Sequence, residues 1–198
     1  MDNQYKLDAF KQIVAKNCEN ADFIYREFFV NDHLLIVEKI AMELCNIYKK
    51  ADQAVVFALV WFHDFGKPID INHERAVTRE KGVKAMKMVG LEDDFINKVL
   101  KFWERMEMKN EIDLSKENIE VQIVSSADGA SHFVGKFFST YFRDDPIESI
   151  KETEEKIKNK IKQDWDRKIV LPEVKIAFKD RYFIALELVG EYPDKFIG

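Results

Sequence analysis

The chain has 198 residues, of which 46% are hydrophobic, so it is long and apolar enough for one domain with a sizeable core. Seven glycines and four prolines are too few for a turn-rich β protein or a disordered chain. The net charge of −5 argues against general nucleic-acid binding, which needs a basic surface. A small phosphorylated partner is still compatible with it, because a bound cation supplies local positive charge.

The cysteines and the apolar segments indicate where the protein resides. Cys18 and Cys45 are too few and too irregularly placed for a disulfide framework, so two reduced thiols are expected. The first residues lack the apolar segment of a signal peptide, and no apolar run reaches membrane-spanning length. These observations predict a cytoplasmic protein with no membrane partner.

Apolar residues recur at helical spacing and predict an all-α fold. The first predicted helix covers residues 4–16. The second begins at a cap formed by Asn31 or Asp32 and runs to about Lys50, and Asp52 is predicted to cap the third.

The third helix is apolar on nearly every side, which is typical of a central helix, and Gly66 and Pro68 end it. Further helices are predicted at 74–89, at 92–108, from about 116 with a bend at Gly129, at 147–165 and at 173–190. A break is expected at residues 144–146. No segment shows the alternation of a strand.

His63 and Asp64 stand together at the end of the apolar third helix. Burying an imidazole and a carboxylate without partners is costly, and a divalent metal ion satisfies both at once. Consecutive helical residues point about 100° apart, so both can bind one ion only where the backbone leaves the helix. Gly66 and Pro68 supply that departure.

Two more residues can complete such a site. His33 begins the preceding helix, and an antiparallel pair of helices brings the start of one near the end of the next. Asp128 is a lone acid on the apolar side of its helix, where a carboxylate needs a cation or several hydrogen bonds. A buried hydrogen-bonded network without metal is the alternative.

In this order, His33, His63-Asp64 and Asp128 resemble the signature of the HD superfamily of metal-dependent phosphohydrolases. The local contexts are similar too: Asn31-Asp32-His33 opens a helix, His63-Asp64-Phe65-Gly66-Lys67 has the His-Asp-x-Gly-Lys form, and Ala127-Asp128 has the final Ala-Asp. The resemblance covers about residues 30–142.

The length predicts a single domain over 1–198, and the helix pattern adds a C-terminal helical extension at about 146–198. The resemblance implies an HD-type helical core at about 30–142. It implies His33, His63, Asp64 and Asp128 as ligands of a divalent metal ion, which would be Mn, Fe, Co, Ni or Mg. The implied activity is hydrolysis of a phosphomonoester or phosphodiester of a small molecule, often a nucleotide.

The same resemblance implies catalytic roles for Asp64, Lys67 and His73. Lys67 would neutralise the substrate phosphate and His73 would contact it, while Asp64 could relay a proton. A solvated helix charge and a plain surface residue are the alternatives for Lys67 and His73. Relatives carry a further histidine for a second metal, but none occurs in residues 99–103, which favours a single ion.

Several roles stay open from the sequence. His132 lies one turn after Asp128, where it could face the site, support it or lie on the surface. Glu74 and Arg75 could contact phosphate or serve the base. A catalytically weak, metal-containing ligand-binding or regulatory HD module is the alternative function. The extension could cover the mouth of the site or form a homodimer interface.

Overall fold

The computed structural model of the protein describes residues 3–138, 149–195 and 197, and these residues form an all-α structure with no strand. The α-helices are α1 (Asn3–Asn17), α2 (Leu35–Ile47), α3 (Gln53–Phe62), α4 (Glu74–Val77), α5 (Val83–Met88), α6 (Asp93–Glu107), α7 (Ile119–Ser131), α8 (Ile150–Gln163) and α9 (Pro172–Glu187). The predicted all-α class is confirmed, whereas the assignment to an HD-type core stays a prediction.

Single turns of other helix types extend or join these helices. A π turn at Val30–Leu34 leads into α2, a second at Thr78–Gly82 joins α4 to α5, and a third at Asp164–Lys168 follows α8. Short 3-10 turns occupy Ile71–His73 and Leu114–Lys116. Each π turn carries one residue more than an α turn, an arrangement that is frequent at functional sites.

Helix α3 lies at the centre of the protein, packed against α1, α2, α6 and α7. Most of its apolar side chains are fully buried: Val55, Val56, Ala58, Leu59, Val60, Trp61 and Phe62. Burial of each larger side chain contributes roughly 1.5–3 kcal/mol, so the position of α3 is strongly determined. The prediction of a central third helix is confirmed, and its C-terminal end is held firmly in place.

The start of α2 differs from the sequence prediction. Asn31 and Asp32 do not cap the helix, because both lie inside the π turn Val30–Leu34, and Phe29 before it already has helical backbone angles. The helix ends at Ile47 rather than near Lys50. The cap predicted for α3 is confirmed, since the Asp52 carboxylate accepts a hydrogen bond from the backbone N–H of Val55 at 3.3 Å.

The C-terminal segment packs against the core through its π turn and α9, both of which contact α7. Ile161 and Ile169 are fully buried in the same apolar cluster as α3. The predicted break at 144–146 and the boundary between 142 and 146 fall outside the described residues.

Gly129 does not bend α7, which continues through it to Ser131, so the predicted bend is wrong. A Cβ atom at this position would lie 2.9 Å from the Cβ of Lys168 and 3.0 Å from Cγ1 of Ile169. The missing side chain instead allows the C-terminal π turn to approach α7 closely.

Both cysteines, Cys18 and Cys45, are buried free thiols, as predicted. Burial raises the pKa of Cys18 to about 12 and that of Cys45 to about 11, so neither is an activated thiolate. In the part of the chain that the structure describes, no helix is both long and apolar enough to cross a membrane.

Gly66 provides a test of the turn after α3. A Cβ atom there would lie 2.1 Å from the carbonyl oxygen of Glu74, which is backbone and cannot move aside. We expect Gly66→Ala to lower the free energy of unfolding by about 3 kcal/mol or more. Gly190→Ala, which meets only the strain of a positive φ in open space, should cost about 1–2 kcal/mol. Urea denaturation compares them, and equal losses would contradict the close approach.

Candidate metal centre

The structure brings together the four residues that the sequence singles out as metal ligands. His33 comes from the π turn before α2, His63 and Asp64 follow the last residue of α3, and Asp128 lies on α7. His33, His63 and Asp128 are buried, and the side chain of Asp64 is 11% exposed. Their facing nitrogen and oxygen atoms lie 3.3–3.9 Å apart.

His63 presents an unsatisfied nitrogen to the centre of this cluster. Its Nδ1 lies 2.6 Å from the carbonyl oxygen of Val60, so Nδ1 carries the proton and donates it. The lone pair is then on Nε2, which is buried and has no hydrogen-bond partner among the described residues. Nε2 lies 3.4 Å from Oδ2 of Asp64 and 3.9 Å from Oδ1 of Asp128. A buried acceptor of this kind is costly unless a cation or donor reaches it.

The tautomer of His33 follows from Ser131. The Ser131 hydroxyl donates to the carbonyl oxygen of Asp128 at 2.7 Å, so it accepts from Nδ1 of His33 at 3.0 Å. Nε2 of His33 therefore also carries a lone pair, directed toward Asp64 at 3.3 Å. A histidine that binds a metal through one ring nitrogen is usually oriented by a hydrogen bond at the other ring nitrogen.

Both carboxylates are ionised. Burial acts to raise the pKa of Asp64, but His63 and the Lys67 ammonium, which lies 2.8 Å from Oδ2, hold it well below its usual range. Burial acts in the same sense on Asp128, and Lys168, 2.7 Å from its Oδ2, lowers its pKa well below the ordinary value. Asp128 thus has an ammonium at Oδ2 and imidazole nitrogens at Oδ1, whereas Oδ2 of Asp64 meets both kinds of group.

The donor set fits a metal ion. Ligand atoms that are each about 2.1 Å from one ion lie between about 3 and 4.2 Å from one another, which matches the distances found here. Two groups of three residues have ligand atoms within 4.8 Å of one another: His33 with His63 and Asp64, and His33 with Asp128 and His132. These buried histidine and aspartate side chains could therefore hold a metal ion.

Of the residues predicted to contact substrate, one lies at the cluster and another lies on the surface. Lys67 contacts Asp64 and lines the cavity beside the cluster. His73 is not brought to the cluster: its side chain is 74% exposed, and its Nδ1 lies 2.9 Å from Oδ2 of Asp70. The catalytic role of His73 stays a prediction. Arg75 is exposed and paired with Glu107 at 2.5 Å.

A cavity of about 370 Å³ opens beside the cluster. Its basic and aromatic wall is formed by Lys67, Lys109, Lys160, Lys168, Tyr25, Phe28, Phe29 and Phe137. A smaller cavity next to it is lined by His63, Asp64 and Asp128, and the two share Lys67, Glu74, Lys109 and Lys168. Burial raises the pKa of Glu74, a carboxyl on the wall common to both.

Sequence reasoning missed the contribution of the C-terminal segment. Asp164 is fully buried, accepts a hydrogen bond from Lys160 and forms an ion pair with Lys168 at 3.4 Å. Lys168 also donates a hydrogen bond to Asp128. Lys160, Asp164 and Lys168 follow one another at four-residue spacing, a pattern that ordinarily indicates solvated ion pairs on a helix surface. Only their burial distinguishes these three residues from solvated ion pairs, and the sequence pattern does not indicate that burial.

Comparisons with known proteins did not identify a related protein. A scan against models of protein families, a search of curated proteins and a search of solved structures each gave no match. The resemblance to the HD superfamily therefore rests on four residues, His33, His63, Asp64 and Asp128, and their local sequence contexts.

Metal addition tests the cluster directly. At a free Mn²⁺ or Co²⁺ concentration of about 100 times Kd, binding should stabilise the protein by about 2.7 kcal/mol and raise Tm by roughly 5–10 °C. His63→Gln should lose most of this increase, because it removes the unpartnered nitrogen. His73→Gln should keep it, since His73 is exposed. Thermal unfolding with and without EDTA measures the effect, and equal increases in both variants would exclude His63 as a ligand.

The metal-free protein should lose stability in acid. Burial, reinforced by Lys160, lowers the pKa of His132 from 6.5 to about 3. Between these values the unfolded chain binds a proton at this residue and the folded chain does not, so the free energy of unfolding falls as pH falls. From pH 6.5 to 4.5 we expect a loss of about 2 kcal/mol from His132 alone.

Urea denaturation in EDTA across this range measures the dependence. In His132→Gln the proton uptake on unfolding should be smaller by about one proton. An identical pH dependence in the variant would show that His132 is not held neutral in the folded protein.

Proposed function

We propose that this protein is a metal-dependent phosphohydrolase that cleaves a phosphomonoester or phosphodiester of a small molecule, with nucleotides as the first substrate class. The observation that carries this proposal is the meeting of unpartnered imidazole nitrogen and ionised carboxylate at the end of a lysine-lined cavity. The resemblance of His33, His63, Asp64 and Asp128 to the HD signature supports the same reaction class.

The ligand chemistry narrows the choice of ion. Imidazole nitrogen is a poor ligand for Mg²⁺, which prefers oxygen, so Mn²⁺, Fe²⁺, Co²⁺ or Ni²⁺ suits this donor set better. A divalent ion bound here would polarise a phosphoryl oxygen and lower the pKa of a bound water toward neutrality.

The cavity wall supports a phosphorylated substrate. Lys67, Lys109 and Lys168 line both the large cavity and the smaller one at the cluster, so a phosphate near the cluster would meet their ammonium groups. Tyr25 and Phe28 are among the aromatic side chains of the larger cavity, and such side chains can stack on a planar base. A volume of about 370 Å³ lies within the usual range for small-molecule sites.

Proton transfer has one candidate on this wall. The Glu74 carboxyl is partly buried, and burial raises its pKa toward neutral pH. A group that accepts and returns a proton works best with a pKa near the operating pH. It lines the same small cavity as Asp64 and Asp128. We assign Glu74 the role of general base within this proposal.

A binding module that holds a phosphorylated ligand without turnover is the second candidate. The observation in its favour is that Lys67 and Lys168 already neutralise Asp64 and Asp128. A chain with this pairing can keep its buried carboxylates ionised without a metal ion, and Lys109 on the same cavity wall could bind a phosphate without catalysis.

A panel of nucleotides and simple phosphoesters, assayed with each divalent metal, distinguishes the two. We expect turnover that EDTA abolishes and that Asp64→Ala reduces by more than about 100-fold, because the variant loses a ligand. Asp180→Ala removes an exposed carboxylate of α9 and should retain the wild-type rate. Circular dichroism verifies that each variant is folded.

Full activity in Asp64→Ala would rule out the hydrolase assignment. Saturable binding of a nucleotide with no turnover under any metal would favour the binding module instead.

A further inference from the structure

His132 is buried beside the cluster, although the motif assigns it no role. Its ring is 5% exposed, and its Nε2 lies 3.5 Å from Oδ1 of Asp128. On the opposite side, Nδ1 lies 2.7 Å from Oδ2 of Asp164. The ring therefore bridges a carboxylate of the cluster and a carboxylate of the C-terminal π turn.

The contacts of Asp164 determine which nitrogen of His132 carries the proton. Asp164 is fully buried between the ammonium groups of Lys160 and Lys168, so it is ionised and can only accept. A separation of 2.7 Å from Nδ1 thus requires the proton on Nδ1. Lys160 also lies 3.1 Å from Nδ1, but its ammonium donates to the Asp164 oxygens and finds no lone pair on that nitrogen. The lone pair of His132 is on Nε2.

His132 consequently repeats the arrangement found at His33 and His63. In all three rings Nδ1 donates to a protein oxygen, of Ser131, Val60 and Asp164 respectively. In all three, Nε2 faces Asp64 or Asp128 at 3.3–3.9 Å. A carboxylate behind an imidazole is the arrangement that commonly orients a histidine and strengthens it as a metal ligand.

We propose that His132 is a fifth protein ligand of the metal ion and that Asp164 is the residue that positions it. This inference rests on the metal site of the proposed function and changes its composition. His33 belongs to both groups of three ligands, and its single Nε2 lone pair can serve only one ion. The two groups therefore describe one ion with five ligands: His33, His63, Asp64, Asp128 and His132.

A site of this kind has two structural consequences. An octahedral ion with five protein ligands has one position open for water or substrate, where four ligands would leave two. The site also depends on the C-terminal segment, because Asp164 lies just after α8 and is held against α7 where Gly129 has no side chain.

The proton NMR spectrum of the Co²⁺-loaded protein in water counts the ligating histidines. Each Nδ1–H of a bound ring should give one solvent-exchangeable signal shifted far downfield by the paramagnetic ion. We expect three such signals in the wild type and in His73→Gln, and two in His132→Gln. The wild-type count does not depend on the folding of any variant.

Metal affinity, measured by titration with Co²⁺, provides the second readout. Asp164→Asn should keep three signals and weaken binding by about 10–100-fold, as expected when the partner of a ligating histidine is changed. His132→Gln should weaken binding at least as much, whereas His73→Gln should match the wild type.

The outcomes separate this inference from the proposed function. Two shifted signals in the wild type, or wild-type affinity in both His132→Gln and Asp164→Asn, would overturn the role of His132 while leaving a four-ligand hydrolase intact. If the wild-type protein binds no Co²⁺ and shows no metal-dependent turnover, the proposed function fails as well. Three signals in the wild type and in His73→Gln support the inference even if His132→Gln does not fold.

Discussion

The structure depends on the burial of two carboxylates, Asp64 and Asp128, at the meeting point of its central helices. Each carboxylate would be very costly in an apolar core without cationic partners. Lys67 and Lys168 supply one partner each, and imidazole nitrogens that carry lone pairs face Oδ2 of Asp64 and Oδ1 of Asp128. A cation between these facing acceptors would satisfy both at once, so the arrangement is compatible with a bound metal ion.

The apolar helix α3 fixes the position of the backbone that carries His63 and Asp64. Because most of its apolar side chains are fully buried, its last turn has little freedom to shift. Gly66 then permits a turn so close to Glu74 that no side chain would fit there. The same packing therefore determines both the stability of the core and the geometry of the site.

The all-α class, the central third helix and the four clustered residues could be predicted because each has a local signature in the sequence. Helical periodicity, an apolar stretch that ends in His63-Asp64 and a lone Asp128 are all visible without coordinates. The role of Asp164 could not be predicted, since ion pairs at four-residue spacing look alike whether buried or solvated. The prediction that Asn31 or Asp32 caps the second helix is wrong for a related reason, because residues that commonly cap helices also fit within a π turn.

The buried ion pairs also set the charge of the site. Three buried carboxylates, of Asp64, Asp128 and Asp164, are matched by the ammonium groups of Lys67, Lys160 and Lys168. These six groups are electrically balanced among themselves. A divalent ion would add two positive charges that they leave uncompensated, and a phosphate dianion would restore neutrality. The metal-loaded cavity would thus discriminate among ligands by charge before any contact with the rest of the molecule.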